Sequence, residues 1–290
     1  MGRYSFLLNS LLVLTMLPAM PAQSQGPLAQ FNPPKSYYLA LGDSLAYGFQ
    51  SFKFAEDLPP SAYNTGYVDV FGARLRQIRP AIVTVNYGCP GESTESFVTG
   101  GCIWTTTGHL LHDSFSGSQL QAALTFLIAH PDQVSPITFT LGTNDLPGLL
   151  TPCTVNGNID GNCVLQNAPS FISNVVGRIS AILHALRSAA PSAEIIVMGA
   201  PDPYISALAF ADPLYQSFDS SLAEAASADR ARFADPFPIF NPQGDLSYEV
   251  QTICTLTLLC RDADSHPSDA GYQALAALVF DVSQYIRLQN

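Results

Sequence analysis

Tyr37-Tyr38-Leu39-Ala40-Leu41-Gly42-Asp43-Ser44-Leu45 is an apolar run that stops on a glycine and then delivers a serine. A short apolar run bounded by a turn residue predicts a buried strand. Similar runs recur downstream. Ala81 to Asn86 is rich in β-branched residues, Ile137 to Leu141 ends at Gly142, Glu194 to Met198 ends at Gly199, and Arg232 to Ala234 is a short fifth strand. Helical spacing fills the intervals. Gly66 to Arg79 places Tyr67, Val70, Phe71, Leu75 and Ile78 on one face, with Pro80 as the stop. Ser118 is a cap for a helix with Leu120, Ala123, Leu124, Leu127 and Ile128 inward, ending at His130-Pro131. Pro169 suits the first turn of a helix that carries Ile172, Val175, Val176, Ile179, Ile182, Leu183 and Leu186. A weaker helix covers about 214–228. Ser268 caps the last, with Tyr272, Leu275, Ala276, Val279, Val282 and Ile286 inward.

Strands alternating with helices predict an α/β fold, a three-layer α/β/α sandwich around a mostly parallel five-stranded sheet. Ligands of such sheets bind beyond the carboxyl ends of the strands. Ser44, Cys89, Asn144 and Asp202 each follow a strand, so they fall on that one edge. Pro and Gly are scattered, not gathered in a linker, and no repeat divides the chain, so one domain is expected.

The start of the chain has a different character. Arg3 precedes an apolar run from Phe6 to Leu17, and Pro18-Ala19-Met20-Pro21-Ala22 supplies small residues at a cleavage point. This predicts a secretory signal peptide over residues 1–22, with cleavage after Ala22 or after Ser24. The run is shorter than the ~20 residues of a membrane span, and no other stretch approaches that length. The net charge of −11, with 12 Lys plus Arg, argues against a nucleic-acid partner, which needs positive surface. Six cysteines behind a signal peptide point to disulfides. Each consecutive pair lies within one loop-like segment, so the expected bonds are Cys89–Cys102, Cys153–Cys163 and Cys254–Cys260. No C-x-x-C occurs. His109, His112 and Asp113 form an H-x-x-H-type cluster with some metal-binding character, but a solvated loop is the simpler reading, and no metal is expected.

Three strings carry chemistry, namely Gly42-Asp43-Ser44-Leu45, Gly142-Thr143-Asn144-Asp145 and Asp264-Ser265-His266-Pro267. Ser44, between a strand end and a helix, suits a nucleophile, which requires a base to take its proton. Asn144 can donate to an oxygen that gains negative charge, and Gly88 can add a backbone N–H. Taken singly, each is equally a turn residue or a cap. His266 is the base by elimination. His184 lies in a helix, His130 ends one, and His109 and His112 belong to a cysteine-bordered loop. Only His266 sits among carboxylates before a helix. Asp264, Asp262 or a backbone carbonyl would orient its ring.

The chain resembles the GDSL, or SGNH, hydrolase superfamily, and among its members the secreted esterases. Residues 42–45 match the first block, Asn86 to Thr94 resembles the second, residues 142–145 match the third, and Asp264 to His266, followed by Pro267 to Tyr272, resembles the last. The resemblance spans about residues 36–288. It implies a flavodoxin-like sheet, Ser44 as nucleophile, His266 as base, and Ser44, Gly88 and Asn144 as the oxyanion hole, with no cofactor. The family's usual acid stands three residues before the histidine, and here that position is Ala263, so Asp264 takes the part only by a shorter spacing. The expected substrate is a small-molecule, lipid or glycan ester, and the expected protein is a secreted monomer. A carbohydrate O-deacetylase is the alternative within the class, and a non-catalytic binding protein on the same scaffold is the alternative outside it. Phe97, Trp104, Phe115, Tyr204, Phe210 and Tyr215 are candidates to line the mouth.

Overall fold

The computed structural model describes residues 31–204 and 211–289. The proposed signal peptide and Phe210 lie outside the described residues. Five strands form the central sheet: β1 (Tyr37–Gly42), β2 (Val83–Asn86), β3 (Val134–Thr140), β4 (Ile195–Met198) and β5 (Arg232–Ala234). They lie in the order β2-β1-β3-β4-β5, and every pairing is parallel. This is the flavodoxin-like order. The principal helices are α1 (Ser44–Tyr47), α2 (Tyr67–Ile78), α3 (Gln119–Ala129), α4 (Gly161–Ala189), α5 (Ala211–Ala228) and α6 (Asp269–Ser283).

Alternation along β1 explains the two helical layers. Leu39 and Leu41 pack with Ala123, Val175, Ile179 and Leu222 under α3, α4 and α5. Tyr38 and Ala40 point the other way, onto Phe71 and Leu75 of α2 and Leu275 and Val279 of α6. Successive strand residues face opposite sides, so a strand covered on both faces must be apolar throughout. The order reverses between β1 and β3, whose connections leave in opposite directions and open a crevice at their carboxyl ends. Ser44 and Asn144 follow these two strands.

Several boundaries differ from expectation. Pro169 does not open its helix. Asp160 caps α4 earlier, accepting from the N–H groups of Asn162 (2.9 Å) and Cys163 (3.2 Å), so Pro169 lies within it. Ile128 is exposed, and the buried positions of α3 are Gln119, Ala123 and Leu127. Ile286 is also exposed. Gln284, at φ 62°, ends α6 in the left-handed region, and the turn brings Tyr285 inward instead.

All three disulfides pair as expected. Cys254–Cys260 joins the helix Leu246–Leu256 to the short helix Leu259–Asp262, just before Asp264. A loop this short contributes about 2 kcal/mol on chain-entropy grounds. Replacing both cysteines by serine is therefore expected to lower Tm by about 4–8 °C. Calorimetry of the double variant checks this.

Candidate active site

Gly42 ends β1 at φ 129°, and a Cβ there would stand 2.0 Å from the Thr140 carbonyl oxygen. Only glycine brings β1 this close to β3 at the turn into Ser44. Asp43 then caps α1. Its Oδ1 accepts the Leu45 N–H (3.0 Å) and the Thr140 hydroxyl (3.1 Å), and its Oδ2 accepts the Thr143 hydroxyl (3.3 Å). Burial pushes the Asp43 carboxyl up to about 6, although these bonds and the nearby His266 oppose the rise. Ser44 opens α1 with a backbone N–H that has no partner among the described residues.

His266 belongs to the strand Asp264–Pro267, which pairs antiparallel with Thr257–Leu258. Its Nδ1 lies 2.5 Å from Asp264 Oδ1, which also accepts the His266 backbone N–H at 3.0 Å. Asp264 Oδ2 accepts the Ser51 N–H at 2.8 Å. Burial works to raise the Asp264 carboxyl, but the His266 ring and the two backbone N–H groups outweigh it and hold it well below the usual carboxylate range. An ionised carboxylate only accepts, so Nδ1 carries the proton and Nε2 is left basic. Ala263, in the left-handed region at φ 53°, turns the chain directly before Asp264. Asp262 instead pairs with Arg261 at 2.7 Å. Gln50 Nε2 donates to the Pro267 carbonyl (3.1 Å), and the Phe49 ring meets the His266 ring at 4.7 Å.

Asn144 is held from two sides. Its Nδ2 donates one hydrogen to the Glu92 carbonyl (3.0 Å) and keeps the other. The neighbouring Asp145 accepts from the Thr94 N–H (2.9 Å) and from Arg178 (3.0 Å). Ser44, Asn144 and His266 thus line one cavity of about 310 Å³, with Leu146, Pro201, Tyr204 and Tyr215 among its walls. A nearly filled apolar recess adjoins it, lined by Phe171, Ile172, Leu214 and Phe218 and sharing Thr143, Leu146 and Tyr215.

Gly88 is the expected third oxyanion donor. Its N–H donates to Asn86 Oδ1 at 2.9 Å, and it is glycine because a Cβ would stand 2.6 Å from the Tyr47 nitrogen. The N–H of Gly91, by contrast, has no partner among the described residues. The mouth aromatics divide. Tyr204 and Tyr215 line the cavity, whereas Phe97 is buried against Phe139 (5.6 Å) and Phe115 packs on Tyr87 (5.4 Å). Trp104 lines a separate groove of about 240 Å³ with Tyr47, Phe54 and Tyr63. His112 bonds the Tyr47 carbonyl and Asp113 the Asn86 N–H, so they do not converge on an ion. Among the described residues the one cluster of metal-ligating type is Cys89, Glu92 and Cys102, and its two cysteines are spent in a disulfide.

Residues 40–274 match the model of the GDSL-like lipase/acylhydrolase family. The chain belongs to this family. It is therefore an ester-hydrolysing serine hydrolase. Among solved structures, the extracellular lipase of Streptomyces rimosus superposes with a TM-score of 0.57 at 15% identity, over 85% of this chain and 99% of that one. Phospholipase A1 from Streptomyces albidoflavus NA297 gives 0.56 at 15% identity, over 86% and 99%. A mutant form of an acetyl-xylooligosaccharide esterase from Geobacillus gives 0.53 at 16% identity, over 88% and 96%. At these identities the likeness is one of fold. No curated protein matches the chain by sequence.

The buried acids of this GDSL hydrolase set its response to pH. Burial raises Glu92 to about 7 and Asp219 to about 8, as it raises Asp43. Between about pH 4 and 8 the folded chain keeps protons that the unfolded chain has released, so stability falls as pH rises. Asp264 has the opposite sign, and its contribution is lost on acidification below the ordinary carboxylate range. Tm is expected to be higher near pH 5 than near pH 8. Asp219→Asn should flatten that slope in calorimetric scans at the two pH values.

Proposed function

We propose that the protein is a secreted serine esterase that hydrolyses short- to medium-chain carboxylic esters through Ser44, His266 and Asp264. The observation that carries this reading is the Asp264–His266 Nδ1 bond at 2.5 Å in a cavity that Ser44 also lines. Ser44 Oγ attacks the ester carbonyl as His266 Nε2 takes its proton, while Asp264 stabilises the imidazolium. The carbonyl oxygen, now negative, accepts from the Ser44 N–H and the free hydrogen of Asn144. We assign the third donor to Gly91 in place of Gly88, because its N–H is unpartnered and the next residue, Glu92, holds Asn144. The alcohol leaves with the proton held by His266. Water, activated by the same imidazole, then attacks the acyl-enzyme and regenerates Ser44.

Secretion rests on the N-terminal pattern of residues 1–22 together with three disulfides, which persist in oxidising compartments. We take residues 36–288 as one hydrolase domain acting as a monomer. The apolar cavity walls favour an acyl chain, and the filled recess behind Phe218 limits its length. One observation favours a glycan ester as a second reading. The groove at Trp104 reaches His266 through Phe49, whose ring meets Trp104 at 5.6 Å and could continue a stacking surface for sugar rings.

A fluorophosphonate probe is expected to label one serine, and Ser44→Ala should abolish both labelling and turnover. Retained labelling in that variant would refute the nucleophile. Asp264→Asn should reduce kcat by about 10²–10⁴ while the fold persists. Phe218→Ala should open the recess and move the optimum along a p-nitrophenyl ester series toward longer chains, each added buried methylene contributing about 0.8 kcal/mol. An unchanged profile, with acetylated xylo-oligosaccharides the better substrates, would favour the glycan reading.

A further inference from the structure

Gln119 lies in the first turn of α3 and is fully buried, although it is polar and far in sequence from the motif residues. Its carboxamide is fully used. Oε1 accepts the Gly42 N–H at 2.6 Å, and Nε2 donates to the Gly42 carbonyl at 2.9 Å and to Glu92 Oε2 at 3.0 Å. Gly42 stands two residues before Ser44. The Glu92 side chain also receives the Ser96 hydroxyl at 2.5 Å, and the Glu92 backbone carbonyl receives Asn144 Nδ2 at 3.0 Å. One amide thus joins the end of the strand that bears the serine to the loop that holds the oxyanion donor.

We propose that Gln119 is a positioning residue for ester hydrolysis, fixing the distance between Ser44 and the oxyanion donors through its paired bonds to Gly42 and Glu92. The inference rests on the Ser44 reading given above. An oxyanion donor acts on charge that exists only in the transition state, so displacing it lowers turnover more than substrate binding. A misplacement of about 1 Å can cost about 10²-fold. The shape of residue 119 alone cannot supply this function. Glutamate has the same outline, yet its carboxylate only accepts. It would set lone pairs against the Gly42 carbonyl and the Glu92 side chain where the amide now donates.

The test measures kcat and KM on p-nitrophenyl acetate per active site titrated with a fluorophosphonate, together with Tm. Gln119→Glu is expected to lower kcat by about 10- to 100-fold with KM changed less than about twofold. The double variant Glu92→Gln/Gln119→Glu restores a donor to the pair and should recover about fivefold or more of that loss, as coupled neighbours do. Should Gln119→Glu fail to fold, Gln119→Met is judged by the same kcat criterion. A lowered Tm with kcat per titrated site within about twofold of the parent protein would overturn the proposal and leave Gln119 a packing residue. Failure of the underlying reading looks different, since the parent protein would then not be labelled at Ser44.

Discussion

One carboxylate ties the two ends of the chain into a site. Asp264 receives the Ser51 N–H, the His266 N–H and His266 Nδ1, and the first of these bonds spans 213 residues of sequence. Ser51 lies on the segment that leaves α1, so the bond places the histidine strand beside the turn that presents Ser44. Gln50 and Phe49 add a hydrogen bond and a ring contact to the same strand. A carboxylate with three N–H donors stays ionised, and an ionised Asp264 fixes which imidazole nitrogen is basic. Position and protonation are therefore set by the same three bonds.

The sheet supplies the rest of the geometry. A reversal of strand order between β1 and β3 puts Ser44 and Asn144 on either side of one crevice. Holding that crevice open requires polar groups in a dry interior. Asp43, Gln119, Glu92 and Asp145 occupy it, and all bond to backbone or to one another. Such networks are costly to leave incomplete and rigid when complete. The raised carboxyls of Asp43 and Glu92 are the electrostatic cost of a well-defined site. Stability is traded for a fixed arrangement around the serine.

The sheet was legible in the sequence because buried parallel strands are continuous apolar runs that end in turn residues. Ser44 and Asn144 stood out because each lies just past such a strand in a motif, His266 because it alone sits among carboxylates before a helix, and the cysteines paired by proximity along the chain. The hidden parts depend on which side-chain bonds form, some local and some, like those of Gln119, between residues far apart in sequence. The engagement of Gly88 by Asn86 is a local side-chain bond that spacing does not reveal. Gln119 follows the Ser118 cap, at a position where an exposed polar residue is ordinary. Its spacing of four from Ala123 and eight from Leu127, both buried, was the available signal. Pro169 misplaced a helix start because the stronger cap, Asp160, lay in a segment that looked like a disulfide loop.

The most direct test is a crystal structure of the protein inactivated by an alkyl phosphonate. The account predicts phosphorus bonded to Ser44 Oγ, the phosphonyl oxygen facing the Ser44 N–H and Asn144 Nδ2, and His266 within hydrogen-bond reach with Asp264 on its far nitrogen. An adduct on another residue, or a phosphonyl oxygen turned away from Asn144 with His266 detached from Asp264, would contradict it.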